Sequence, residues 1–368
     1  MKILEVITSL LIGGAEHIVV QLTEDLRRRG HQVDIVVFNG EDTNFTREVE
    51  AMGPTTDGVP AVKLYRLGTG YYNPMYILQL RRIMKHYDVV HTHNSSPQLF
   101  AAIANIGLGK TLITTEHNTN NRKRGNRLLS ALDIWMYKRY KRIVCISDIA
   151  RELLEEYLYG QKNNSSDNRI MVINNGVDVG GFYNAKPLPE LGHEGRFVCV
   201  MVAGFRKQKD QDTLIRAIAS LPENYELWLV GDGVRRKEIE ALIAKENVGS
   251  RVKLLGVRGD VARVLKSADV VVMSSHWEGL SLSNIEGMSS GKPFVASHVN
   301  GLKEVTDGYG ILFEHGNSQE LADIIRHLHD DADYYCQVAE KCHERALQYD
   351  INIMTREYEK VMKNERQS

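Results

Sequence analysis

Two glutamates eight positions apart, Glu278 and Glu286, stand in the stretch SHWEGLSLSNIEGMSSGKP (275–293), which otherwise holds small, apolar and hydroxyl residues. A carboxylate accepts two hydroxyl hydrogen bonds at once, which suits a ribose diol or a hexose. DVVVMSS (269–275) reads as a buried strand, and a short helix beginning at Ser283 ends near Gly291 and Pro293. Glu278 then lies in the strand-to-helix loop and Glu286 in the first helical turn, where the free N–H groups around Ser283–Ile285 form a place for an anion or a sugar. Ser283-Asn284-Ile285-Glu286 also fits a capping box, in which the glutamate serves only its own helix. For Glu278 the competing reading is a solvated loop charge.

Two other segments offer related chemistry. GFRKQKDQD places Arg206, Lys207 and Lys209 after a strand, and cations there could stabilise a departing diphosphate without a metal. The alternative is a solvated charged turn. SLLIGGAEH carries Gly13 and Gly14 between a strand and a helix, allowing close backbone approach to a diphosphate. It lacks a full G-x-G-x-x-G, and no acid closes the second strand, so a dinucleotide site is poorly supported. His91-Thr92-His93, with Glu116-His117 farther along, suggests zinc, but no third ligand has recognisable spacing and none is assigned.

These residues need elements to hold them. Short apolar runs at 2–8, 33–38, 62–67, 87–93, 111–117, 142–147 and 169–175 alternate with helical patterns, and the alternation restarts at 196–204, 225–233, 252–256, 269–275, 293–297 and 310–314. Two such series predict two Rossmann-like, doubly wound parallel-sheet α/β domains rather than one large sheet. We place the first at 1–183 and the second at 184–350, with the final helix, 351–368, crossing back onto the first. Ligands of such sheets bind beyond the strands' carboxyl ends, so the informative residues line a cleft between facing domains.

Composition narrows the classes. With 43% hydrophobic and 25% charged residues and only 8 prolines in 368, disorder is not expected. A net charge of −1 argues against a surface built for nucleic acid. The four cysteines form no CxxC pair, and no apolar run reaches the ~20 residues of a spanning helix. We therefore expect a cytoplasmic protein. NRKRGNRLLSALDIWMYKRYKRI (121–143) carries eight Lys and Arg against one acid, Asp133, with Leu128, Leu129, Leu132, Trp135 and Met136 at helical spacing. It reads either as a core-facing helix with a charged outer face or as a peripheral contact with the inner face of an anionic membrane.

Taken together, Glu278-GLSLSNI-Glu286, IGGAE (12–16), VVHTHN (89–94), NNGVD (174–178), QKDQDTLIRA (208–217) and LVGDG (229–233) resemble the retaining glycosyltransferases of family 4, which have the GT-B fold. The resemblance implies that Glu278 contacts the transferred sugar and Glu286 the donor ribose. It implies that backbone groups from Gly279 through Leu280 and Ser281 to Leu282 bind sugar hydroxyls and phosphate. Gly13 and Gly14 would approach the diphosphate, His117 the donor sugar and Lys209 the phosphates. The family arginine two residues after the strand-end valine is replaced by Gly204, and Arg206 stands two places later as its substitute. The implied reaction is retaining, metal-independent transfer from a UDP- or GDP-sugar to the hydroxyl of a sugar or lipid-linked acceptor in polysaccharide or glycolipid assembly, with no cofactor. A nucleotide-sugar epimerase and a silent sugar-nucleotide binder are the alternatives.

Overall fold

The computed structural model describes the chain except residues 12, 118–126, 161–166, 193–194, 280 and 368, and except the side chains of 127–129 and 366–367. It divides into one unit of Met1–Gly176 with Ile351–Ser368 and a second of Val177–Asp350. The expected boundary at 183 falls later than this division because the short helix Val179–Tyr183 buries Val179 and Phe182 in the second unit's core.

The first unit holds β1 (Lys2–Ile7), β2 (Gln32–Asn39), β3 (Leu64–Gly68), β4 (Val89–His93), β5 (Thr111–Glu116), β6 (Arg142–Cys145) and β7 (Ile170–Val172). They form a parallel sheet in the order β3-β2-β1-β4-β5-β6-β7. Ile3, Leu4, Val6 and Ile7 of β1 are all fully buried, as a strand covered by helices on both faces requires. The helix Asp148–Tyr159 shows how locally the sequence sets its elements: the Ser147 hydroxyl accepts from the Ala150 N–H and starts the helix. The last helix, Ile351–Gln367, packs within this unit through Tyr358, whose hydroxyl meets Thr115 Oγ1 at 2.9 Å, and through Glu365, which accepts from Arg142 Nε at 2.7 Å.

The second unit holds β8 (Phe197–Val202), β9 (Tyr225–Val230), β10 (Val252–Gly256), β11 (Val270–Met273), β12 (Phe294–Ser297) and β13 (Ile311–Phe313). Their order is β10-β9-β8-β11-β12-β13, again all parallel. All thirteen strands occupy the runs expected, with ends moved by a few residues. The order reverses between β1 and β4 in one sheet and between β8 and β11 in the other, the places where open α/β sheets bind ligands.

The turn after β9 depends on a missing side chain. Gly231 sits at φ +134, and a Cβ there would stand 2.2 Å from the Ala203 carbonyl oxygen in the loop after β8. Gly231→Ala is expected to lose about 2–3 kcal/mol in urea denaturation, from backbone strain plus overpacking; a loss below about 0.5 kcal/mol would contradict this close approach.

Within DDAD (330–333), Asp331 caps the helix Ala332–Leu347, its carboxylate accepting from the Tyr334 N–H at 2.9 Å. The basic segment is described only in part. In the helix Arg127–Tyr137, Met136 and Asp133 are buried while Leu132 is 42% exposed. No helix among the described residues is long and apolar enough to cross a membrane. Cys145, Cys199 and Cys342 are buried, Cys336 is exposed, and all four are free thiols.

Candidate active site

The loops after β8 and β11 bring two of the expected residues into contact. Lys209, at the end of the 3-10 turn Lys207–Lys209, donates from Nζ to Glu278 Oε1 at 2.5 Å. Their side chains are 18% and 6% exposed, so the pair is well shielded from screening by water. Ser275 Oγ donates to the same oxygen at 2.6 Å, and Gln208 Nε2 donates to the Trp277 carbonyl at 2.8 Å. Neither Ser275 nor Gln208 was expected from spacing, although both lie inside the quoted motifs. The loop is braced from behind: the Glu278 N–H donates to Asn300 O at 3.2 Å. Gly301, at φ +87, lies so close that a Cβ would stand 2.2 Å from Glu278 O.

Arg206 joins this corner only through its backbone, whose carbonyl accepts from the Lys209 N–H at 3.0 Å. Its backbone is extended and its side chain exposed, with no ion pair or side-chain hydrogen bond among the described residues. Lys207 is exposed as well.

The helix carrying Glu286 runs Leu282–Ser289 with Ser281 at its N-cap, and Ser281 makes no side-chain cap hydrogen bond. This corrects the expected capping box, because Ser283 lies inside the helix rather than at its cap. Glu286 is instead two residues farther in and only 8% exposed, and burial pushes its carboxyl up to about 7. Gly279 is exposed and precedes the helix; Ser281 and Leu282 begin it. Leu280 lies outside the described residues.

In the first unit, Gly13 caps the helix Gly14–Arg28, whose first turn carries Glu16. The ends of β4 and β5 hold a buried chain of histidines. β1 and β4 pair in a register that sets Glu5 beside His91, and Glu5 is fully buried. His93 Nε2 donates to Glu5 Oε2 at 2.8 Å, and His91 Nδ1 lies 2.9 Å from the same oxygen. Burial alone would raise the Glu5 carboxyl, but the two imidazoles outweigh it and hold it down to about 2. Burial pushes His93 down to about 4 and His117 well below the usual histidine range, so both rings are neutral near pH 7.

The protonation pattern then follows from the partners. His93 spends its proton on Glu5, so its Nδ1 accepts from His117 Nε2–H at 2.8 Å, and His117 is left with a bare Nδ1. The other nitrogen of His91 meets Thr115 Oγ1 at 2.8 Å. Glu5 supplies the third group near the H-x-H pair that spacing had not revealed. A lone acid inside a buried strand, KILEVI, was the available signal.

Residues 12–180 match the family described as Glycosyltransferase Family 4 and residues 187–348 the family described as Glycosyl transferases group 1. An uncharacterised glycosyltransferase of Methanocaldococcus jannaschii is 30% identical over 282 residues, covering 73% of each chain. The Escherichia coli UDP-Gal:alpha-D-GlcNAc-diphosphoundecaprenol alpha-1,3-galactosyltransferase is 29% identical over 256 residues, 63% of this chain and 65% of that one. Among solved structures, Anabaena HepE in complex with UDP is similar with a TM-score of 0.80 at 23% identity, covering 99% of this chain and 100% of that one. The same protein has been solved in complex with UDP-glucose. This likeness and the two parallel-sheet units make the fold GT-B.

Proposed function

Because the chain belongs to the family 4 and group 1 glycosyltransferases, we propose that it moves a sugar from a nucleoside-diphosphate sugar to an acceptor hydroxyl with retention of configuration, and that no metal takes part in the chemistry. The observation that carries this reading is the shielded Lys209–Glu278 pair at the reversal between β8 and β11.

Each group has a task in this proposal. Lys209 draws the diphosphate toward its ammonium and offsets the charge that grows there as the glycosidic bond breaks. Glu278 accepts from hydroxyls of the transferred sugar. Its Oε1 already takes hydrogen bonds from Lys209 and Ser275, which lowers its strength as a nucleophile and favours front-face attack over a covalent glycosyl-enzyme. In that step the acceptor oxygen bonds to the anomeric carbon as the diphosphate departs, and the acceptor's proton passes to a diphosphate oxygen. Glu286 accepts from the donor ribose, and the N–H groups from Gly279 to Leu282 serve sugar and phosphate.

For the first unit, we assign Gly13 and Gly14 to the diphosphate and His117 to a hydroxyl of the donor sugar. A neutral ring with a bare Nδ1 is an acceptor and suits that role. Arg206 keeps its proposed place as a further phosphate contact, reached by an exposed side chain with no ion pair among the described residues. A lipid-linked acceptor remains part of the proposal, supported by the diphosphoundecaprenol acceptor in the name of the Escherichia coli relative.

Binding can be tested by thermal shift of the full chain against UDP, GDP, ADP, CMP and their sugar conjugates, with and without EDTA. One nucleotide family at 100 times its Kd is expected to add about 2.7 kcal/mol, unchanged by EDTA. No shift with any of them would contradict the donor site.

A further inference from the structure

Three side chains that the transfer reaction does not use converge in the second unit. Asp210 ends the turn after β8, His276 follows β11 and His315 follows β13. Asp210 Oδ2 lies 3.9 Å from His276 Nδ1 and 4.0 Å from His315 Nε2, and the two imidazole nitrogens are in direct contact. One ligand atom from each residue falls within 4.8 Å of the other two.

Asp210 is anchored by its side chain and His276 by its backbone. Thr213 Oγ1 donates to Asp210 Oδ2 at 2.6 Å, and the His276 N–H donates to Gln208 O at 2.8 Å. Asp210 adopts the left-handed conformation, φ 48 and ψ 50. That conformation costs a side-chain-bearing residue roughly 1–2 kcal/mol, which glycine would avoid. The histidine side chains are 28% and 40% exposed, so an ion can enter from water.

The geometry points to a binding site for a divalent transition-metal ion, with Zn²⁺ the best match, held by Asp210, His276 and His315 and completed by water. Two imidazoles and one carboxylate are borderline N and O donors of the kind zinc takes in a three-ligand site. With bonds of about 2.0–2.2 Å the ligand atoms of a tetrahedral site stand roughly 3.3–3.5 Å apart. Drawing the carboxylate in by about half an ångström and parting the two rings meets that spacing. The ion would tie the 208–210 turn to the loop that begins at 274, the two segments that carry Lys209 and Glu278. It stands outside the bond-making steps, and its presence does not depend on the transfer reaction.

The test is zinc content of the full chain, stripped with chelator, dialysed against Zn²⁺ and then against metal-free buffer, for wild type and His315→Ala. Exposed histidines and Cys336 take up zinc adventitiously, so the difference between chains is the readout. Wild type is expected to keep one equivalent more, with at least 10-fold tighter Zn²⁺ binding by competition with a chromogenic chelator, and Co²⁺ should give a visible d–d band that the variant lacks. Should His315→Ala not fold, Asp210→Asn, which tolerates the same backbone conformation, carries the comparison. Equal zinc retention and affinity in wild type and variant would overturn the site.

Discussion

Glu278→Gln is expected to lower kcat/KM by about 10²–10³-fold while leaving the protein folded, which a turnover assay beside thermal unfolding would show. The size is that of removing one preorganised charged contact from a shielded site. Gln keeps the shape and one acceptor for Lys209 and Ser275, so the neighbouring loop stays in place. What it loses is the negative charge that balances Lys209 and accepts from sugar hydroxyls. Glu278→Ala should be equally inactive and less stable, because it leaves the 18%-exposed Lys209 ammonium without its counter-charge. Transfer within about threefold of wild type by Glu278→Gln would remove Glu278 from the mechanism.

Glu286→Gln is expected to act in opposite directions on stability and on binding. Burial raises the folded-state carboxyl to about 7 from its ordinary 4.5, so the folded protein holds a proton that the unfolded chain has lost between those pH values. Stability from this group is therefore intact below about pH 4.5, falls as pH rises toward 7, and stays lowered above it. The full penalty is about 3 kcal/mol at alkaline pH. Urea denaturation should find Glu286→Gln more stable than wild type by about 2–3 kcal/mol at pH 8, with the gap closed by pH 4.5. Donor nucleotide should bind the variant about 10-fold more weakly, since the amide presents one acceptor oxygen to the ribose diol instead of two. A pH-independent stability gap would mean that Glu286 is ionised throughout, and unchanged nucleotide affinity would remove it from the ribose.

The architecture was legible because strands buried on both faces are written as runs such as FVCVMV and DVVVM, bounded by glycine and polar turns. Glu278 and Lys209 stood out for a similar reason: each lies after a strand and belongs neither to that strand nor to the next α-helix. Local spacing put the helix start at Ser283, two residues past the observed N-cap Ser281, because the S-x-x-E pattern there imitates a capping box. It could not foresee that Glu286 would be buried, which depends on how the helix Leu282–Ser289 packs on the sheet.

Glu5 shows another limit. Its partners lie far along the chain and are set beside it only by the β1–β4 register, so a single acid in a strand gave no direction. Asp210, His276 and His315 meet because three separate strands end at one edge, a fact of sheet order that no local motif records.

Retaining transfer from a nucleoside-diphosphate sugar is tested most directly by proton NMR of the first-formed product. The full chain is incubated with the α-linked donor that stabilises it, in EDTA, and the anomeric signal is followed before mutarotation. Nucleoside diphosphate release with an α-configured product is expected, or slow formation of the free α-sugar without acceptor, and neither with Glu278→Gln. A β-configured first product, an epimerised donor, or binding without any turnover would contradict retaining transfer.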